Sequence, residues 1–390
     1  MKNKSLGLYN IIDTEGINKS INNVLSSGIN FNTYTSPKGL KELRIKISSF
    51  LYDIWNYNIN YKDMLITTGS QQSVNLIVYS LLNEGDTVLI EQPTYFGAIN
   101  AFKNRKVKLV GVDLKEEGFD LKELETKIIK YHPKLIYVTP TFNNPTGYSW
   151  GNNYRKKFLK IINKYNVLIL EDDPYSLINY TRDKYKSLYE LNNGCNVIYL
   201  GTFSKYISPS INVGYIISKN NILKTIYSFK ESFDLCTSFF TQLIVLDYLQ
   251  NNNIKELINN RIPIYKKLLN ETIEGINNNH AESILSYSKV KGGLFIYIKF
   301  KGEIDNDIFE SGNNYYIDDG YNNETRINIC NTLFDEKKSD IMNLETNVNC
   351  VQFVCKRLWT HSTYNTICTI YTRLLLTRGS GKKYKQCCGK

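Results

Sequence analysis

Lys205 closes the stretch "NVIYLGTFSK", where an apolar run gives way to a polar turn. Taken alone it reads as a solvated surface lysine, the usual place for that residue. Its amine becomes a useful nucleophile only where partial desolvation lowers its pKa, as in a Schiff-base lysine. Residues elsewhere in the chain favour that second reading. Asp172 follows the apolar run "NVLIL", at an abrupt edge where an unpaired carboxylate is costly. Such an acid either caps a helix or keeps a heteroaromatic ring nitrogen protonated, turning the ring into an electron sink. Tyr175, three residues on, and Asn144 in "PTFNNPTG" offer a hydroxyl and an amide to a ring oxygen.

A phosphate site is legible upstream. "TTGSQQSVNLIVYSLL" reads as a tight glycine turn entering a helix at Ser70 or Gln71. Free N–H groups at a helix start, together with the helix dipole, bind anions. Ser70, Thr202 and Ser204 add hydroxyl donors, although hydroxyl residues also favour helix starts for capping alone. Tyr95, after "IEQP", offers a ring to stack on a flat ligand or simply to pack. A phosphate cradle, a ring-nitrogen acid, ring-oxygen partners, a stacking aromatic and an amine together describe a site for pyridoxal 5'-phosphate (PLP).

Four short apolar runs must position these groups: "DTVLIEQPTY", "PKLIYVTPTF", "NVLILEDDPY" and "NVIYLGTFSK". Their shortness, β-branched content and Gly/Pro flanks predict parallel strands covered on both faces. Helical stretches such as "YRKKFLKIINKY" lie between them, and "GLKELRIKISSFL" predicts an amphipathic helix near the start. The alternation predicts an α/β fold around an open sheet, whose ligands bind beyond the carboxyl ends of the strands. Tyr95, Asn144, Asp172, Tyr175, Thr202, Ser204 and Lys205 all fall at those ends.

The chain has 390 residues and an ordinary globular balance, 42% hydrophobic and 22% charged. No apolar run approaches the ~20 residues that span a bilayer. The opening "MKNKSLGLYN" lacks the core of a signal peptide, so a cytoplasmic location is the expectation. A net charge of +11 would suggest nucleic acid, but eight of those charges sit in the acid-free stretch from Thr346 to Lys390, leaving +3 for the rest. Five of the eight cysteines share that stretch, and the cysteine-poor body suits a reducing compartment.

"PTFNNPTG", "EDDPY" and "GTFSK", in this order and spacing, resemble the fold type I aminotransferases of classes I and II. The nearest branches are the 2-aminoadipate and kynurenine transaminases and the aminotransferase-like domains of MocR-type GntR regulators. "GSQQ", "EQPTY" and "YTSPKGLKELR" extend the likeness, which covers roughly residues 16 to 335. The resemblance implies a PLP enzyme with a large, mostly parallel sheet domain and a smaller α+β domain. Residues 1–45 would belong to the small domain and the dimer contact, 46–260 to the PLP domain, and 261–344 to the small domain. Lys205 would form the internal aldimine and shuttle the proton, with Asp172 on the pyridine nitrogen and Tyr95 stacked on the ring. Asn144 and Tyr175 would hold the ring hydroxyl, and Ser70, Gln71, Thr202 and Ser204 the phosphate. Arg326 in "ETRINICN" would grip the substrate α-carboxylate, assisted by Asn144. Tyr34 would reach the phosphate of a neighbouring subunit, implying a homodimer.

Three departures stand out. The family run S-K-x-x-x-P-G-x-R-x-G reads here "SKYISPSINVG", with Ser210 for the glycine and Asn212 for the phosphate-binding arginine. Losing a charge-assisted partner costs about 1.5–3 kcal/mol, so weakened rather than abolished PLP binding is expected. The stretch between "GGLFIYIKF" and "ETRINICN" is shorter than in the family by about one helix or strand. Finally, residues 345–390 leave the resemblance altogether. "GSGKKYKQCCGK" is similar to the second half of a SEC-C zinc motif, but Leu376 and Arg378 stand where its first two cysteines belong. Cys387 and Cys388 alone make a poor tetrahedral site, so no metal is expected.

The expected function is transfer of an α-amino group between an amino acid and a 2-oxo acid. The alternatives are a PLP-binding effector domain of a MocR-type regulator without its DNA-binding part, or a decayed homologue. A regulator carries a winged helix-turn-helix ahead of this domain, and the segment before Tyr34 is too short for one, so nucleic acid is not an expected partner.

Overall fold

The apolar runs become the centre of an eight-stranded sheet. The structure, a computed structural model, describes residues 12–330 except positions 220, 281, 305, 307 and 308. The expected tail 345–390 and residues 331–344 of the expected small domain lie outside the described residues. The strands are β1 (Met64–Thr67), β2 (Thr87–Gln92), β3 (Lys108–Lys115), β4 (Gly118–Phe119), β5 (Leu135–Val138), β6 (Leu168–Asp173), β7 (Val197–Thr202) and β8 (Gly214–Ile217). Their order across the sheet is β1, β8, β7, β6, β5, β2, β3, β4. The five central strands from β7 to β3 run parallel, while β1, β8 and β4 pair antiparallel at the two edges. This is the mixed, mostly parallel sheet of an α/β fold.

The ten helices described are α1 (Thr14–Ser26), α2 (Lys41–Trp55), α3 (Gly69–Leu81), α4 (Phe96–Asn104), α5 (Leu121–Tyr131), α6 (Asn152–Tyr165), α7 (Leu188–Leu191), α8 (Asn221–Asp234), α9 (Phe239–Asn251) and α10 (Ile254–His280). Strand alternation sorts the core into two layers. Val88, Ile90, Leu135, Tyr137, Leu170, Ile198 and Leu200 pack against α3, α4 and α8. Leu89, Ile136, Val138, Ile169, Val197 and Tyr199 face the other way, toward α2, α6, α9 and α10. Continuous apolar strands are the consequence of having both faces covered. After α10 comes a separate antiparallel sheet of β9 (Ile284–Tyr287), β10 (Phe295–Phe300) and β11 (Glu324–Asn328), with β10 in the middle.

The strand order creates the site. From β2 the chain moves outward to β3, then returns past β2 to β5 and continues through β6 to β7. The direction of winding therefore reverses between β2 and β5. Such a reversal point, beyond the carboxyl ends of these two strands, is the usual ligand position in such sheets.

Candidate active site

Asp172 lies on the face of β6 that carries Leu170 and is 4% exposed. Tyr137, on neighbouring β5, donates its hydroxyl hydrogen to Asp172 Oδ2 at 2.7 Å. Asp172 Oδ1 is buried and has no hydrogen-bond partner. Burial raises this carboxyl to about 6, opposed by the Tyr137 hydrogen bond and the charge of Lys205, with Asp173 pushing it further up. Asp173, the next residue, points to the opposite face and is satisfied there by Tyr199 and Ser176. An acid with one orphaned oxygen suits a cationic ring N–H, because buried polar groups otherwise find partners.

Lys205 sits in the loop between β7 and β8, and antiparallel pairing of those strands pins both loop ends. The Phe203 N–H donates to Val213 O across the loop base at 2.9 Å. Phe203, Tyr206 and Ile207 around the lysine are buried, and Arg261 on α10 donates to Tyr206 O at 2.8 Å. Lys205 is thus held half-buried on a fixed backbone. Desolvation lowers its amine to about 8, the positive charge of Arg326 adds to the effect, and Asp172 resists it. A neutral, nucleophilic amine is accessible near physiological pH.

Arg326 on β11 closes the other side. Its Nη1 donates to Asn144 Oδ1 at 2.8 Å and its Nη2 to Glu310 Oε2 at 3.0 Å. The guanidinium lies over Phe295 at 4.2 Å and Tyr315 at 5.3 Å from the ring centroids. Tyr315 is tied to the loop before Tyr95, since the Thr94 N–H donates to Tyr315 O at 2.9 Å. Tyr175 is buried beside Asn144 and packs edge-on against Phe295, and burial raises its hydroxyl pKa. Burial also raises Tyr95, to about 12, with the charge of Asp172 adding and that of Arg326 opposing.

The glycine turn at α3 opens one residue earlier than the sequence predicted, at Gly69, with Thr68 as N-cap. Thr68 makes no side-chain cap, and its own N–H donates to Gln72 Oε1 at 2.7 Å. First-turn N–H groups at Ser70 and Gln71 therefore present an uncapped positive end. Gly69 has φ +78°, and a Cβ there would lie 2.2 Å from Asn212 Oδ1, so Asn212 packs on this helix start. Gln71 Nε2 donates to Gly97 O at 3.0 Å and ties α3 to the start of α4, next to Tyr95. A Cβ on Gly97 would strike both the Tyr95 ring and Gln71, which explains the glycine. The Thr202 hydroxyl donates to Val213 O and accepts from the Ser204 N–H, so it braces the lysine loop.

Lys205, Asp172, Tyr95, Tyr175, Asn144 and Arg326 thus form one electrostatically coupled group. Tyr34 stands apart: it is 80% exposed, and no hydrogen bond or ring contact joins its side chain to the group among the described residues. Among the described residues no cluster of His, Cys, Asp and Glu could hold a metal, and no helix is long and apolar enough to cross a membrane.

Sequence reading missed four residues. Glu91 on β2 accepts from the Thr139 N–H at 2.9 Å and the Asn143 amide at 2.8 Å, joining β2 to the loop after β5 at the switch point. Burial raises its carboxyl to about 8. Like Asp172 it is an acid ending an apolar run, and that signal would have found it. Arg155 on α6 is fully buried and donates to Trp150 O, Lys186 O, Pro140 O and Thr141 Oγ1, anchoring the loop that carries Asn144. Tyr137 and Glu310 carry no sequence signal, because only the fold brings them to Asp172 and Arg326.

Residues 7–332 match the model of the aminotransferase class I and II family, and the chain belongs to it. It is 30% identical over 277 residues to aromatic-amino-acid aminotransferase 1 of Thermococcus litoralis, covering 70% of this chain and 66% of the relative. It is also 30% identical over 269 residues to the 2-aminoadipate transaminase of Thermus thermophilus, covering 68% of this chain and 66% of that protein. The chain thus spans just under two thirds of the length of these relatives. HTH-type transcriptional regulators of Bacillus subtilis and Staphylococcus aureus also match, over 55% of their length. Among solved structures, the kynurenine aminotransferase of Pyrococcus horikoshii, in complex with PMP, superposes with a TM-score of 0.78 at 27% identity, covering 85% of each chain.

Proposed function

We propose that this chain is a PLP-dependent aminotransferase that moves an α-amino group between an amino acid and a 2-oxo acid. The observation that carries this reading is the orphaned, buried Oδ1 of Asp172 in the same group as a lysine lowered to about 8. Neither arrangement stabilises a protein by itself, and together they suit the two ends of one cofactor.

PLP, when bound, supplies an aldehyde carbon that receives the amino group and a cationic ring that draws electrons from the substrate α-carbon. Asp172 Oδ1 would accept the ring N–H and keep that proton in place. Asn144 and Tyr175 would hold the ring hydroxyl oxygen, and Tyr95 would cover the ring. The N–H groups of Ser70 and Gln71 would bind the phosphate, with Ser204 and Thr202 beside them. Lys205 Nζ, as the free amine, would take the proton from the substrate α-carbon and hold it as the ammonium. Arg326 and Asn144 bind the substrate carboxylate, and the bidentate fit of guanidinium to carboxylate orients the α-carbon toward Lys205. Tyr34, exposed on this chain, serves the neighbouring subunit of a homodimer.

The test is an absorbance titration with PLP followed by addition of amino acids such as glutamate, 2-aminoadipate or phenylalanine. The proposal expects a visible band, absent in Lys205→Ala, that converts to the PMP spectrum with an amino acid. A band that never converts with any amino acid favours an effector domain over an enzyme. No band at all removes both readings.

A further inference from the structure

Glu310 lies in the stretch between β10 and β11. Its carboxylate Oε2 sits 3.0 Å from Arg326 Nη2, on the same guanidinium assigned above to the substrate carboxylate. Asn144 Oδ1 takes Nη1 at 2.8 Å, and Phe295 and Tyr315 flank the cation at 4.2 and 5.3 Å. The guanidinium is therefore already supplied with an anion, an amide oxygen and two rings. A substrate carboxylate needs two parallel N–H bonds from one edge, and one of the two terminal nitrogens is engaged by Glu310. Two carboxylates beside one cation also repel each other in a partly desolvated site.

Glu310 cannot leave by moving its backbone far, since its carbonyl accepts from Thr325 Oγ1 at 2.7 Å, one residue before Arg326. Only the side chain has to swing. Its side chain is 23% exposed, so water is available to receive it. We propose that Glu310 is an internal carboxylate that occupies Arg326 until a substrate carboxylate displaces it, and so sets how tightly this chain takes amino and 2-oxo acids. The inference rests on the aminotransferase reading and on the role given there to Arg326. Glu310 acts by competition, making the empty site self-satisfied and lowering apparent affinity for every carboxylate alike.

The experiment measures binding of two non-reacting acids, 3-phenylpropionate and succinate, to the PLP-loaded full chain by calorimetry. Wild type is compared with Glu310→Gln, Glu310→Ala and Arg326→Ala, each checked for folding by thermal melting. Removing a partly exposed competing charge should tighten both acids about tenfold in the two Glu310 variants. In turnover the same variants should lower KM for the amino acid far more than they change kcat. Equal or weaker binding in both Glu310 variants overturns the proposal and leaves the aminotransferase reading intact. If Arg326→Ala binds both acids as wild type does, the carboxylate site was assigned wrongly and the proposal falls with it. If wild type takes up no PLP, the enzyme reading itself has failed.

Discussion

Tyr137 and Asp172 meet across neighbouring parallel strands, the hydroxyl donating to one carboxylate oxygen at 2.7 Å while the other oxygen has no partner. The hydrogen bond favours the ionised acid against the burial that raises it to about 6. Without it the acid should titrate higher, closer to neutrality, and hold a cationic ring less well there. A hydrogen bond to a charged group contributes about 1.5–3 kcal/mol. Tyr137→Phe should therefore weaken PLP binding about tenfold near pH 6.5 and less near pH 8.5. Absorbance titrations at both pH values test this, and an equal loss at the two would assign Tyr137 to packing alone.

The same acid makes the PLP-free protein less stable. Asp172 titrates at about 6 in the fold against 3.8 unfolded, so the native state binds more protons between those values. Stability then falls as pH rises through that window, and the full cost of about 3 kcal/mol applies above it. Asp172→Asn keeps an acceptor for Tyr137 and carries no charge. It should raise the melting temperature of the PLP-free protein by about 5 °C near pH 7.5, with the gain vanishing near pH 4. A gain that persists unchanged at pH 4 would rule out ionisation as its cause.

Lys205, lowered to about 8 chiefly by desolvation, gains its reactive form as pH rises. The rate of PLP capture, followed by stopped-flow absorbance, should increase about eightfold between about pH 6.5 and 7.5 and level off near pH 9. Lys205→Arg should capture none. A rate still climbing at pH 10 would mean that the lysine is solvated.

Asn212 adopts a left-handed backbone with φ +45°, a conformation that asparagine tolerates better than most residues. Asn212→Arg should tighten PLP about tenfold through a charge-assisted phosphate contact, while costing about 1 kcal/mol of fold stability from the backbone. A PLP dissociation constant paired with a thermal melt separates the two effects. Unchanged affinity would move the phosphate away from the start of α3.

The loop that carries Asn144 should depend on Arg155, whose buried guanidinium satisfies three carbonyls and one hydroxyl. Arg155→Met leaves those acceptors unpaired and should cost about 3 kcal/mol of stability, read by urea denaturation. A loss below 1 kcal/mol would mean that water replaces the guanidinium at little cost.

What the sequence determined was local. The runs ending at Gln92, Val138, Asp173 and Thr202 are apolar on both faces, so they become buried parallel strands. Asp172 stood out because it ends such a run, while Lys205, three residues beyond β7, stood out only in company with Asp172, Asn144, Tyr175 and the glycine turn of α3. Residue spacing also located the glycine turn of α3 to within one position. The tertiary structure decided the pairings. Tyr137 with Asp172 is 35 residues apart, Glu91 with Asn143 is 52, and Arg326 with Asn144 is 182. No periodicity encodes such distances, because strand order and loop return set them. Glu310 makes the point most sharply: in the sequence it is one acid in a polar stretch, and in the fold it sits on the cation proposed to bind substrate.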